Sequence, residues 1–136
     1  MNVRSPAAEK NKDLIRLLFE EVINQGNLAA VGEIFSADFV DHSTPEQPAG
    51  HEGLKDYFVM VRTGFPDLRV VIDDLIAEGD KIVVRTTWRG THLGTYESIP
   101  PTGQQVARTL IQIFRIAHGI IMEEWNEGGS LLVSVQ

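Results

Sequence analysis

The spacing of apolar and polar positions changes halfway along this 136-residue chain. In the first half, apolar residues recur every three or four positions, which is the spacing of one face of an α-helix. After Pro66 they alternate with polar residues, which is the spacing of a β-strand with one buried face. Helices followed by strands predict an α+β domain.

Three helices are predicted before Pro66, over residues 6–25, 28–35 and 52–64. Ser5 is a good N-cap and Pro6 fits the first helical turn, while Gly26 is a typical residue just beyond a helix end. Residues 38–42 predict a small extended segment, and the prolines and glycine of 43–50 predict a loop.

Four strands are predicted after Pro66, over residues 68–77, 81–92, 106–116 and 120–127. Short turns centred on Gly79 and Gly119 should join them into an antiparallel meander. The long segment 93–105 holds two glycines and two prolines and predicts a loop, and loops of that length are often functional. We expect the three N-terminal helices to pack against one face of a curved antiparallel sheet, with a small-molecule cavity between the layers.

The strand over 81–92 has one mostly apolar face that ends in Trp88 and His92. A buried face that becomes polar at one end is typical of a pocket wall. Gln112 is similarly isolated among the apolar residues of its strand face, which suggests a hydrogen bond to a ligand.

Composition narrows the range of functions. The formal net charge of −7 argues against binding to nucleic acid or to an anionic membrane surface. The absence of cysteine excludes disulfides and thiolate nucleophiles. The N-terminal residues lack the apolar core of a signal peptide, and no apolar run approaches the ~18 residues of a membrane span. These features predict a cytoplasmic protein with one domain over residues 1–136.

Several motifs follow one another in a fixed order: Asp38-Phe39-Val40-Asp41-His42, Gly53-Leu54-Lys55-Asp56-Tyr57, Phe65-Pro66-Asp67-Leu68, Glu78-Gly79-Asp80, Arg85, Gly90-Thr91-His92-Leu93-Gly94, Pro100-Pro101-Thr102-Gly103, Ile113-Phe114-Arg115-Ile116 and Glu123-Glu124-Trp125. In this order and spacing, over nearly the whole chain, they resemble the SnoaL-like family of polyketide (ester) cyclases. The resemblance implies the nuclear transport factor two-like fold, a cone of helices against a strongly curved sheet, usually as a homodimer packed sheet to sheet.

The resemblance also implies a chemistry. The founding cyclases close a polyketide ring by intramolecular aldol condensation, with neither cofactor nor metal, on a small molecule held in the cone. Their general acid/base is an aspartate shortly after the tryptophan of the last strand, with histidines nearby.

This chain departs from that pattern, because Asn126 and Glu127 follow Trp125 and no aspartate is present. Glu127 is the candidate base, and His92 and His42 are candidates to bind or protonate the carbonyl oxygen. If Asn126 holds the family position instead, the base is missing. The candidate substrate-binding residues are Tyr57, Phe58, Trp88, Gln112, Glu123, Trp125 and Asn126.

Three alternatives differ in the support that the sequence gives them. The same cone could serve as a non-catalytic small-molecule-binding module. An epoxide hydrolase would need an Asp–Arg–Asp relay, but strand alternation should separate Asp73 from Asp74, the two candidates near Arg85. A metal site assembled around His42 and His51 lacks a compact ligand spacing, so no metal is expected.

Overall fold

A computed structural model describes residues 5–44, 47, 49–128 and 131–132. Its helices are α1 (Pro6–Leu17), α2 (Val31–Ile34) and α3 (Gly50–Gly64), and its strands are β1 (Phe35–Asp41), β2 (Arg69–Glu78), β3 (Lys81–Thr91), β4 (Gln105–Ala117) and β5 (Ile120–Glu127). The predicted architecture of three helices against one sheet is confirmed. None of the helices described is long and apolar enough to cross a membrane.

The five strands form one sheet in the order β1-β5-β4-β3-β2. The three hairpin pairings from β2 to β5 are antiparallel, as predicted. The predicted antiparallel arrangement covers these four strands, whereas β1 pairs with β5 in parallel and makes the whole sheet mixed. The segment expected to be a small extended piece is therefore a seven-residue edge strand, long enough to bring Asp41 into register with Glu124.

The first helix begins where the capping signal predicts. Ala8 donates its backbone N–H to the Ser5 hydroxyl at 3.4 Å, and Pro6 occupies the first turn. The helix continues as a π-helical segment over Leu18–Asn24, and Gly26 then adopts a φ of +73°. The π segment and the end of α1 turn their apolar side chains toward the inner face of the sheet, where Phe19 meets Trp88 edge to face at 6.3 Å.

A β-bulge in β2 changes the side on which two acidic residues lie. The pairing with β3 shifts register between Ile72 and Asp74, so Asp73 and Asp74 both interact with outward residues of β3. Arg85 donates to Asp74 at 2.7 Å, and its guanidinium lies 3.8 Å from Asp73. The expected separation of the two aspartates is thus wrong, because simple alternation fails at a bulge. The Asp–Arg–Asp group is nevertheless on the outer face of the sheet.

The loop after β3 is fastened to the end of α3. The Gly64 carbonyl accepts hydrogen bonds from the backbone N–H groups of Leu93 and Gly94, at 3.0 and 3.1 Å. His92 closes the other side of the loop with backbone hydrogen bonds to Gln104 and Gly103. Gly94 fits this close approach because a Cβ there would lie 2.0 Å from the Thr63 carbonyl oxygen.

We expect Gly94→Ala to destabilise the protein by about 2 kcal/mol, because the new methyl group must push the loop away from α3. Urea denaturation measures the loss. Gly32→Ala is the matched control, since its Cβ would lie 3.9 Å from the nearest atom in an exposed helical turn, and it should be neutral or slightly stabilising. Equal stability of the two variants would contradict the tight contact.

Candidate functional site

A cavity of about 520 Å³ lies between the helices and the inner face of the sheet. That volume is in the range of small-molecule sites. Its apolar walls come from both layers, and include Leu18, Ile23, Phe35, Leu54, Phe58, Met60, Trp88, Leu110 and Phe114. Its polar lining residues are Asp41, Ser43, Thr44, Gln47, Asp56, Tyr57, Tyr96, Glu97, Gln112, Glu124 and Asn126.

A buried carboxylate, Glu124, is the centre of the polar part of the cavity. Its side chain is on the inner face of β5, and the residue is only 8% exposed. Gln112 donates its side-chain amide to Oε2 of Glu124 at 2.8 Å, and the Asn126 amide donates to the same oxygen at 3.1 Å. Both amides fix the orientation of the carboxyl group, and both described hydrogen bonds use Oε2 rather than Oε1.

Asp41 brings a second carboxylate close to the first. It is the register partner of Glu124 in the parallel pairing of β1 with β5, and it also lines the cavity. Burial, together with the negative charge of Asp41, raises the pKa of Glu124 to about 8, against the opposing effect of the two amide donors. A carboxyl group with this pKa exchanges protons near neutral pH.

Tyr57, on α3, contributes a phenol to the same region. Burial is the main cause that raises the pKa of Tyr57, and the nearby acidic groups, Glu124 and Asp41 among them, raise it further. The phenol therefore stays protonated and can donate a hydrogen bond at any ordinary pH. We refer to Asp41, Tyr57, Gln112, Glu124 and Asn126 as the polar cluster.

Two buried polar atoms of lining residues have no hydrogen-bond partner in the described part of the chain. They are the side-chain carbonyl oxygen of Gln112 and the hydroxyl of Thr44. Buried polar atoms are rarely left unpaired, because each lost hydrogen bond to water is costly. Both atoms are therefore places where a bound molecule could supply a partner.

The structure brings five of the sequence-predicted residues together in the cavity lining: Tyr57, Phe58, Trp88, Gln112 and Asn126. The indole N–H of Trp88 donates to the Thr86 hydroxyl at 2.8 Å, so its ring is held in place from within the same strand face. These residues lie on α3, β3, β4 and β5, and only the tertiary fold makes them neighbours.

Of the two orientations of β5 left open by the sequence, the structure has the one with Asn126 facing the cavity. Glu123, Trp125 and Glu127 do share a face, as alternation predicts, but it is the outer face of the sheet, and Glu127 is exposed. Asn126 and Glu124 point inward instead, opposite the inward residues Gln112 and Phe114 of β4. The location of Glu127 outside the cavity does not support its assignment as the base.

His42 is also outside the cavity. Its ring stacks on Trp125 with centroids 4.9 Å apart, and its Nε2 lies 3.0 Å from Glu123. Glu123 also accepts a short hydrogen bond from Arg115, and these hydrogen bonds lower the pKa of Glu123. These outer-face residues form a surface network rather than part of the pocket.

His92 is fully buried but belongs to the loop after β3 rather than to the cavity lining. Its Nδ1 lies 2.9 Å from the Thr102 hydroxyl, and its ring stacks on Phe65 at 5.5 Å. Its Nε2 has no hydrogen-bond partner within the described residues.

His51, in α3, has a structural role, since its Nε2 lies 2.7 Å from the Phe35 carbonyl oxygen. Among the residues described, no group of three or more acidic or histidine side chains could hold a metal ion.

Sequence reasoning missed Glu124 and Asp41 as site residues. A signal for Glu124 was present, because it alternates onto the same side as Asn126 and would face Gln112 across a hairpin. No comparable signal marked Asp41, whose position depends on the parallel pairing of two segments about eighty residues apart.

Three helices packed on one sheet around a cavity with acidic lining residues are the architecture of the nuclear transport factor two-like fold. The profile of the SnoaL-like polyketide cyclase family matches residues 13–129. The chain belongs to this family, as the sequence motifs predicted.

Solved structures agree with this membership. A protein of Jannaschia sp. CCS1 assigned to the SnoaL-like polyketide cyclases is 26% identical, with a TM-score of 0.84 over 94% of this chain and 91% of that one. IdmH of Streptomyces antibioticus, assigned as a polyketide cyclase, is 29% identical with a TM-score of 0.72, over 87% and 91%. AclR of Streptomyces galilaeus, assigned as a hydroxylase, is 25% identical with a TM-score of 0.76, over 90% of each chain. No curated protein matches the sequence.

The raised pKa of Glu124 predicts a pH-dependent stability. In the folded protein the Glu124 carboxyl group keeps its proton up to about pH 8, whereas in the unfolded chain it releases the proton near pH 4.5. The contribution of Glu124 to the free energy of unfolding therefore falls as the pH rises between those two values. Glu124→Gln removes the effect. We expect its stability relative to wild type to increase by about 4 kcal/mol between pH 5 and pH 9.

Urea denaturation of both proteins at the two pH values measures this difference. Glu123→Gln, on the outer face, is the control and should show no such gain at high pH, because hydrogen bonds from Arg115 and His42 lower the pKa of Glu123. Parallel stability curves for wild type and Glu124→Gln would contradict the buried, perturbed carboxyl group.

Proposed function

We propose that this protein is a cofactor-free acid/base enzyme that acts on an apolar, carbonyl-bearing small molecule, with Glu124 as the proton-transfer group. One observation carries the proposal: a buried carboxyl group, held by two amides, lies in an apolar cavity with a pKa of about 8. Groups whose pKa is near the working pH are the most effective at both accepting and donating a proton.

An aldol cyclisation fits these residues. The Glu124 carboxylate removes a proton from carbon next to a substrate carbonyl, while the Tyr57 phenol donates a hydrogen bond to the developing enolate oxygen. The enolate carbon then attacks a second carbonyl of the same molecule and forms a carbon–carbon bond. The protonated Glu124 returns its proton to the new alkoxide, so no net proton is gained or lost.

The remaining polar-cluster residues position the base. The Gln112 and Asn126 amides hold Oε2 of Glu124, which leaves Oε1 to contact the substrate. We assign no substrate contact to His42 or His92, because neither lines the cavity. His92 supports the site indirectly, since its loop also supplies Tyr96 and Glu97 to the lining.

The second candidate is a binding module without turnover. It is favoured by the protonation of Glu124, because a carboxyl group with a pKa of about 8 is only roughly one-tenth ionised at pH 7. Under this alternative the protonated carboxyl group and Tyr57 act only as hydrogen-bond donors to a ligand. The likeness to AclR shows that the fold also occurs in a protein assigned to another reaction.

Exchange of substrate protons separates the two candidates. Purified protein is incubated in D₂O with a panel of polyketide β-carbonyl esters and with simpler α-substituted keto esters, and loss of the α-proton signal is followed by NMR. We expect Glu124→Gln to slow enzyme-dependent exchange at least about 100-fold, because the amide cannot accept the proton. The wild-type rate should increase with pH up to about 8, as Glu124 ionises.

Glu127→Gln is the matched control, because Glu127 lies on the same strand but outside the cavity. Its exchange rate should equal that of wild type. Loss of exchange in Glu127→Gln with retention in Glu124→Gln would contradict the assignment of the base. Binding without any exchange in wild type would favour the non-catalytic module.

We also propose that two copies of the chain pair through the outer face of the sheet. Ile76, Val83, Ile113 and Trp125 are in register across β2, β3, β4 and β5, and form an apolar row on that face. Ile111 lies beside the row and is 49% exposed. The ion pairs of Arg85 and Arg115 flank the row, so its edges are polar as in many protein interfaces.

We expect Ile111→Glu to shift the protein from dimer to monomer, because a charge would be buried within the pairing face. Light scattering during size-exclusion chromatography measures the mass. Val59→Glu is the control, since Val59 is 50% exposed but lies on α3 rather than on the sheet, and it should leave the mass unchanged. A wild-type monomer, or a dimer unaffected by Ile111→Glu, would contradict the proposed interface.

The cytoplasmic location stays a prediction.

A further inference from the structure

The charged groups that line the cavity are all acidic. Asp41, Asp56, Glu97 and Glu124 are among its lining residues, and no Lys, Arg or His side chain is, within the part of the chain that the structure describes. Asp56 and Glu97 are exposed, whereas Glu124 is buried. An anionic ligand would meet only like charges in this cavity.

One buried hydrogen-bond acceptor of the polar cluster has no donor among the described residues. The Gln112 side chain is 7% exposed, and its carbonyl oxygen is buried and unpaired in the described structure. Because the Gln112 amide already donates to Glu124, the remaining atom can only accept. Oε1 of Glu124 likewise has no described hydrogen bond. The unpaired Gln112 oxygen is an observation separate from the acidic lining of the cavity. Both features favour a ligand that donates hydrogen bonds.

We propose that the polar cluster binds a protonated amine, so that the ligand of this cavity is an apolar molecule carrying an ammonium group. The ammonium group has three N–H donors, which suit Glu124 Oε1, Asp41 and the Gln112 carbonyl oxygen. The aromatic faces of Tyr57, Phe58 and Trp88 surround the rest of the ligand and can also attract a cation.

This inference rests on the proposed function, and it adds a reason for the protonation state of the base. A cation next to Glu124 favours the ionised carboxylate and opposes the effects of burial and of Asp41. The substrate would then ionise its own base on binding at neutral pH. A ligand with a neutral polar group would leave Glu124 largely protonated.

Binding of three matched probes tests the proposal. The probes are 4-phenylbutylamine, 4-phenylbutan-1-ol and 4-phenylbutanoate, which share one apolar body and differ in the charge of the polar group. Quenching of tryptophan fluorescence and calorimetry at pH 7 measure the affinities. We expect the amine to bind at least tenfold more tightly than the alcohol and at least a hundredfold more tightly than the carboxylate. Equal binding of amine and alcohol, or tighter binding of the carboxylate, would overturn it.

Proton release gives a second readout. Amine binding should release protons at pH 7, which calorimetry detects as a dependence of the observed enthalpy on the ionisation enthalpy of the buffer. Glu124→Gln should abolish the release and reduce the preference of amine over alcohol to within a few-fold. Asp41→Asn should weaken amine binding about tenfold, whereas Asp38→Asn, on the same strand but not in the lining, should not. No proton release in wild type would contradict contact with Glu124.

The two proposals fail separately. If wild type exchanges the α-proton of neutral keto esters through Glu124 but shows no amine preference, the amine inference is wrong and the proposed function stands. If the amine preference is present but Glu124→Gln keeps full exchange activity, Glu124 is a binding residue and the proposed function is wrong.

Discussion

The parallel pairing of β1 with β5 is the constraint on which the site depends. It places two carboxylates, Asp41 and Glu124, side by side on adjacent strands. Neither has a cationic neighbour among the residues that line the cavity. The repulsion between the two carboxylates is therefore relieved by protonation of Glu124 rather than by an ion pair. The Gln112 and Asn126 amides keep the buried carboxyl group in one orientation while it remains able to exchange its proton.

The pleat of β5 separates two environments within four residues. Glu124 and Asn126 face the cavity, while Glu123 and Trp125 face outward, where Glu123 forms hydrogen bonds with Arg115 and His42. Two consecutive glutamates thereby acquire opposite properties, because burial raises the pKa of Glu124 and hydrogen bonds from basic groups lower that of Glu123. The same strand thus lines the cavity with one face and forms part of the outer surface of the sheet with the other.

The motifs Gly90-Thr91-His92-Leu93-Gly94 and Pro100-Pro101-Thr102-Gly103 have a largely structural role in this protein. His92, Gly94 and Thr102 fold the loop back on itself and against the end of α3. At its tip, Glu97 and Ser98 both have positive φ, a costly conformation for non-glycine residues that two hydrogen bonds between Tyr96 and Ile99 maintain. The fixed tip holds Tyr96 and Glu97 at the cavity, so the loop shapes the pocket without supplying its base.

The sequence by itself determined the elements, the layer order and the family, because apolar spacing, capping and turn residues act over a few neighbouring positions. Ser5, Gly26 and Gly79 mark boundaries that the structure confirms closely. Alternation also grouped Glu123, Trp125 and Glu127 correctly, but a period of two does not say which group faces inward. That was decided by the register of β5 against β4 and β1, since Gln112 and Phe114 face the core and fix their partners there. The bulge at Asp73 and the closeness of Asp41 to Glu124 likewise depend on pairing between distant segments, which only the tertiary structure determines.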